Sequence, residues 1–348
     1  MASGPPMRLK HSRTDPLVGH GRHFGRTIRT FCRVHTLISN GMGRTMQLDL
    51  GRLGTEDLSQ SEIAEQNIYT NLLKLSPGLE ERLNTGTAEG IHYVADMITK
   101  GVSSARSDDT KSIKVAIVDW ITPAHQVLSP PIQRNVKNDR GFHHPRTGEL
   151  LCPANLDWKD DKIRRDLASG ALVPTGDLWP RFLYRYFEYN PKEPWEGLFR
   201  SSLLVKVTTA YLGDPTDAQA TRSSNARIHG MTSVTIPSIA YIATQVRFAL
   251  NDAASFCRSA HAGTDSELFY NLIVELLEDE KEGVEVADLL MWWNQQIFPT
   301  QINHSRAVHA DSVIAKIKER RHLIEEGLWN AGSDELVPGG ASASSLAG

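Results

Sequence analysis

The side chains with the widest chemical reach gather in two places. The first is Arg140-Gly-Phe-His143-His144-Pro145, followed by Cys152 and Asp157-Trp158. Histidine, thiolate and carboxylate are all zinc ligands, and a short loop can bring them together. However, His-His followed by Pro has no metal-ligand spacing and no second pair lies nearby. The expected role of this stretch is therefore a long loop whose side chains hydrogen-bond its own backbone. The second cluster is Thr221-Arg222-Ser-Ser-Asn225-Ala-Arg227-Ile-His229-Gly-Met231, joined by Arg247 on the following helix. Arg222, Asn225, Arg227, His229 and Arg247 form the expected anion or ligand site. Guanidinium groups and the N–H groups of a helix start both favour phosphate or carboxylate. The favoured role of the cluster is nevertheless structural, with Ser and Asn capping a helix and Arg227 pairing with an acid, and anion binding is the functional alternative.

Nucleophilic catalysis finds no support. The sequence has no G-x-S-x-G elbow, no G-x-x-x-x-G-K-[ST] loop and no G-x-G-x-x-G after a strand. Cys32, Cys152 and Cys257 are far apart and form no C-x-x-C pair, which argues against a zinc ribbon, a redox dithiol or a disulfide framework. No catalytic residue, metal ligand or cofactor site is assigned.

A third feature is electrostatic. Arg22, Arg26, Arg29 and Arg33 recur two residues ahead of an apolar series, Phe24, Ile28, Phe31, His35 and Ile38. On one helix spanning 22–38, the arginines would lie opposite the apolar stripe. Residues 1–45 hold eight basic residues against one acid, a net of +7, so the remainder carries −10 of the total of −3. The stripe is expected to clamp this helix onto the acidic body. The functional alternatives are nucleic acid, an anionic membrane surface or an acidic protein partner.

The elements that must position these groups are mostly helical. Residues 1–20 read as a flexible basic lead, and Asn40-Gly41 as the stop of the first helix. Ser59 and Glu62 are spaced as a capping box for a helix to Leu75, ended by Pro77-Gly78. A helix through Ile91, Val94, Ala95 and Ile98 is expected to close at Gly101, with another from Lys111 to Trp120. Residues 130–180 lack periodicity. Helices resume at 196–211, at Ser238–Leu250, after a Thr264/Glu267 cap, and at Asp288–Phe298. Val205 to Thr209 is the one strand-like patch. No apolar run is long enough to span a membrane.

Several blocks give the chain a family likeness. They are His23-Phe-Gly-Arg-Thr27, Ala105-Arg-Ser-Asp-Asp-Thr110, Arg140-Gly-Phe142 with His144-Pro145, and Leu151-Cys-Pro153. Further on stand Trp179-Pro-Arg-Phe-Leu-Tyr184, Gly197-Leu-Phe-Arg200, Thr221-Arg222, His229-Gly-Met231, Gln245-Val-Arg-Phe248 and Trp293-Asn294. In these the chain resembles a domain family of unknown function expanded in mushroom-forming fungi, over roughly residues 23–299. It departs from that pattern at Leu212-Gly-Asp-Pro-Thr-Asp217 and at His143. The resemblance implies a helical fold and a fungal source, and no activity. It also places Arg22–Ile38 in the folded domain, which disfavours a mitochondrial presequence.

The sequence thus predicts a mainly α protein with one helical domain at 21–300 and a long irregular central region. A charged helix at 301–331 and a disordered tail at 332–348 would follow. The expected function is an intracellular interaction module, cytoplasmic or nuclear, with weak anion or nucleic-acid binding. The alternative is an enzyme whose site is assembled from the 140–158 loop and the 221–231 segment.

Overall fold

Asp15 starts the first helix by accepting the N–H of Leu17 at 2.9 Å, with Pro16 in the first turn, where a missing N–H costs nothing. The computed structural model describes residues 15–212, 231–254 and 265–299, and positions 313, 316, 317, 320 and 321. Among these residues there are eleven α-helices and no strand. They are α1 (Pro16–Thr27), α2 (Val34–Asp49), α3 (Gln60–Leu75), α4 (Leu79–Thr85), α5 (Ala88–Ile121) and α6 (Pro145–Leu151). The rest are α7 (Asp161–Ser169), α8 (Ser202–Leu212), α9 (Ile236–Leu250), α10 (Ser266–Glu278) and α11 (Gly283–Ile297). No described helix is long and apolar enough to cross a membrane.

Met1–Phe298 forms one unit and Pro299–Gly348 another. In the second, the described positions 313, 316, 317, 320 and 321 are helical. Most of the expected 301–331 helix and all of the 332–348 tail lie outside the described residues, as do residues 1–14.

Two hydrophobic clusters fill the first unit. The smaller gathers Leu17, Phe24, Leu37, Ile38, Tyr69, Leu72, Leu83 and Ile98 from α1 to α5. The larger surrounds α9 with residues of α6, α8, α10, α11 and the second half of α5. Helix α5, of 34 residues and about 50 Å, belongs to both. The sequence of α9 is apolar nearly all round, and every residue from Ser238 to Leu250 is buried. That pattern marks a helix enclosed by neighbours rather than one lying on a surface.

Two glycines expected to end helices do something else. Gly101 lies inside α5, where an added Cβ would come within 2.3 Å of Val18 O on α1. Gly41 lies inside α2, where a Cβ would come within 2.2 Å of the Tyr69 ring. Both let helices approach closely, and the two helices expected at 91–101 and 111–120 are one. The expected single helix at 22–38 is two, broken at 28–33. There Thr30 Oγ1 donates to Gly25 O, and Phe31 leaves the small cluster to meet Tyr270 edge-on at 5.3 Å. The lead expected at 1–20 is already helical from Pro16. Val205 to Thr209 lies within α8, not in a strand. The cap of α10 is Asp265, which accepts from Leu268 N at 2.9 Å; Thr264 lies outside the described residues. The Ser59/Glu62 capping box forms as expected.

The break splits the arginine stripe. Arg22 and Arg26 are on α1, Arg29 is in the connection, and Arg33 caps α2 through its backbone. Arg22 pairs with Asp108 at 2.7 Å in a partly exposed contact. Arg26 is buried and grips Asp109 with two bonds of 2.8 and 2.6 Å, while Tyr241 of α9 donates to the same carboxylate. This triad ties α1, α5 and α9 together. Arg29 stands 5.7 Å from the Tyr270 ring centre. The four arginines therefore do not form one free basic face.

A buried pair that loses one partner leaves an uncompensated charge. Asp109→Ala is expected to cost about 3–5 kcal/mol by urea denaturation, and Arg22→Gln less than about 1 kcal/mol. Equal costs for the two would contradict this arrangement.

Candidate functional site

The C-terminal end of α9 needs partners for carbonyls that the helix itself cannot satisfy. They come from the irregular segment between α5 and α6. Arg140, 1% exposed, donates to Ala249 O at 2.8 Å. Its other nitrogen reaches Lys114 O, Gln133 O and Arg134 O at 2.9 to 3.1 Å. Lys137 donates to Phe248 O at 2.5 Å, Ala253 O at 2.8 Å and Asn251 Oδ1 at 3.1 Å, with its ammonium 3.4 Å from the Phe248 ring centre. Two cations at a helix C-terminus also suit its dipole. Burial, then the neighbouring Arg140, pulls the Lys137 ammonium down from 10.5 to about 7, with Asp252 pulling the other way.

A cleft of about 560 Å³ opens beside this cap. Its floor is one face of α5, carrying Ser103, Arg106, Ser107, Thr110, Lys111 and Lys114 at spacings of three and four residues. Its far wall is 135–138 with Phe248 and Asp252. Four cations, Arg106, Lys111, Lys114 and Lys137, thus line one cavity with a single carboxylate, Asp252. Neither Lys111 nor Lys114 forms an ion pair among the described residues. Sequence reasoning missed this site. Residues 103–112 read as a polar helix start, and the helical spacing of Ser103, Ser107, Lys111 and Lys114 was the signal available.

The sequence-predicted clusters fare differently. In the 140–158 stretch the side chains serve the fold. His144 Nε2 donates to Pro130 O at 2.7 Å and its Nδ1 accepts from Arg146 N at 3.0 Å, so neither ring nitrogen is left for a metal. Cys152 is fully buried; burial pushes its thiol up to about 11, against the pull of Arg181. Cys32 is pushed to about 12 by the same cause. Neither thiol is a thiolate at neutral pH, and the thiolate is the reactive form. Asp157 accepts from Lys159 N in a local turn. His143 alone faces a carboxylate, with Nε2 3.3 Å from Asp252. No group of three or more histidine, cysteine or carboxylate side chains converges among the described residues.

Of the expected anion residues, Arg222, Asn225, Arg227 and His229 lie outside the described residues. Arg247 is described and buried, not on a surface. It lines a second cavity together with Gly141, Phe142 and His143, so the structure does bring it beside the first cluster.

The fold and its cavities define an all-α domain organised around one enclosed helix whose C-terminal cap borders two binding-sized hollows. The chain belongs to the family of unknown function DUF6698, whose sequence model matches residues 100–298. No curated protein and no solved structure matches the chain. The matched residues begin inside α5, so they carry the larger core apart from Phe31, the cap and both cavities. The small N-terminal cluster lies before them.

The Lys137 shift has a definite sign. Between about pH 7 and 10.5 the unfolded chain keeps a proton that the folded chain releases. Unfolding then takes up a proton, so stability from this group rises with pH across that window. The stability difference between wild type and Lys137→Met should therefore move in favour of wild type from pH 7 to 10, by up to about 1.4 kcal/mol per unit. A flat difference in urea denaturation would contradict it.

Proposed function

We propose that the domain is a binding module for a compact phosphorylated ligand, held in the cleft between α5 and the α9 cap. The observation that carries this is the convergence of Lys111, Lys114, Lys137 and Arg106 on one cavity whose lining has one carboxylate. Cations in a concave, partly desolvated setting attract anions more strongly than the same charges on an open surface. The hydroxyls of Ser103, Ser107 and Thr110 add donors along the same face. A volume of about 560 Å³ lies in the range of small-molecule sites. This reading adds a site on α5 to the expected one, of which Arg222, Asn225, Arg227 and His229 lie outside the described residues.

The enzyme alternative has less support. In the 140–158 stretch, Arg140, His144 and Cys152 are occupied by the fold, and 221–230 lies outside the described residues. Action inside the cell, in the cytoplasm or nucleus, suits the free thiols of Cys32 and Cys152.

Inorganic pyrophosphate is the simplest probe. Millimolar pyrophosphate should raise the melting temperature by a few degrees above a sodium chloride control of equal ionic strength. The Lys111→Gln/Lys114→Gln variant, altered at solvent-facing positions, should keep its own melting temperature and lose the rise. No rise in the wild type, or an equal rise in the variant, would refute the reading.

A further inference from the structure

On the other side of Asp252 lies a second cavity of about 360 Å³, bounded by Gly141–His143, α7 with the residues after it, and the end of α9. Its walls are mainly apolar, with Phe142, Leu151, Leu167, Leu172, Val173 and Leu178. Arg247 is the one guanidinium in the lining and is 6% exposed. Its two hydrogen bonds go to backbone carbonyls, Asp265 O at 3.3 Å and Pro174 O at 3.4 Å, both long for N–H···O. The Phe269 ring lies 4.7 Å from the guanidinium carbon. No carboxylate forms an ion pair with it among the described residues. The one acid in the lining, Asp252, stands beside His143, and both are about half exposed.

We infer that this cavity binds a small organic acid, an apolar body carrying one carboxylate, with Arg247 receiving the carboxylate. A buried guanidinium keeps its charge at neutral pH and is costly to enclose without a counter-charge. Burial pulls Arg247 down to about 10, against the more distant pull of Asp265, which marks how incompletely the fold compensates it. A carboxylate supplies the missing charge and accepts two guanidinium hydrogens side by side. Leucine, valine and Phe142 supply the apolar walls that suit a hydrocarbon body, while His143, Ser169, Asn251 and Asp252 are the other polar residues of the lining. A volume of about 360 Å³ sets the scale at the small end of ligand pockets.

Octanoate and octanol are the paired probes, followed by isothermal calorimetry. Octanoate should bind at least tenfold more tightly than octanol. Val173→Trp, at a half-exposed position of the lining, should block octanoate. Arg247→Met should abolish the preference for acid over alcohol. Lys111→Gln/Lys114→Gln should leave octanoate binding unchanged, which separates this site from the phosphate cleft. Absent binding, equal affinity for acid and alcohol, or octanoate binding that survives Val173→Trp would overturn the inference. So would loss of octanoate binding in the double lysine variant. If Arg247→Met does not fold, the acid-to-alcohol ratio and Val173→Trp still decide.

Discussion

The C-terminal carbonyls of α9 are the constraint from which the rest of the larger core follows. A helix buried from Ser238 to Leu250 cannot turn to water for partners at its end. Arg140 and Lys137 supply them from a segment that otherwise lacks helix or strand. Placing two cations there fixes residues 133–141 against α5 and α9 at once, because Arg140 also bonds carbonyls of Lys114, Gln133 and Arg134. The other end of α9 is closed by Thr235, which caps Ser238 N and donates to Thr27 O. The middle is tied through Tyr241 to the Arg26–Asp109 pair.

Both cavities are consequences of that cap. The segment it holds must leave α9 before the main chain can reach α6, and hollows remain on either side of Asn251 and Asp252. One faces α5 and inherits its lysines. The other faces α7 and is lined by Leu167 of that helix and by Leu151, Leu172 and Leu178, with Arg247 among the lining residues. Among the described residues neither holds a convergent set of metal ligands, and Lys137, whose ammonium burial pulls down to about 7, already donates to Phe248 O, Ala253 O and Asn251 Oδ1. Each holds fixed charge in a concave wall of apolar or mixed character.

The sequence made the helical class legible because apolar spacing and caps such as Ser59/Glu62 are local signals. It misled at Gly41 and Gly101, where glycine marks a close helix approach, since the partner surface is invisible in the local pattern. Arg22 and Arg26 shared the expected acidic docking surface, but the break at 28–33 depends on Phe31 reaching Tyr270, which is about 240 positions away. His144 and Cys152 were expected to serve a loop rather than a metal, but their partners, Pro130 O and Arg146 N for His144, were not legible in the sequence. The lysine cleft needed α5, 135–138 and 248–254 to be folded together, and no window of sequence contains all three. Arg247 was visible as an anion candidate, although its burial was not.

Hydrogen exchange tests the cap most directly. Arg140 lines neither cavity, so Arg140→Met removes its share of the cap without substituting a lining residue. In the variant, amides of 131–144 and 247–253 should exchange markedly faster than in wild type, while those of α3 and the first half of α5 keep their protection. Protection in 131–144 and 247–253 that stays at the wild-type level would mean that the segment and both cavities are held by something other than the end of α9.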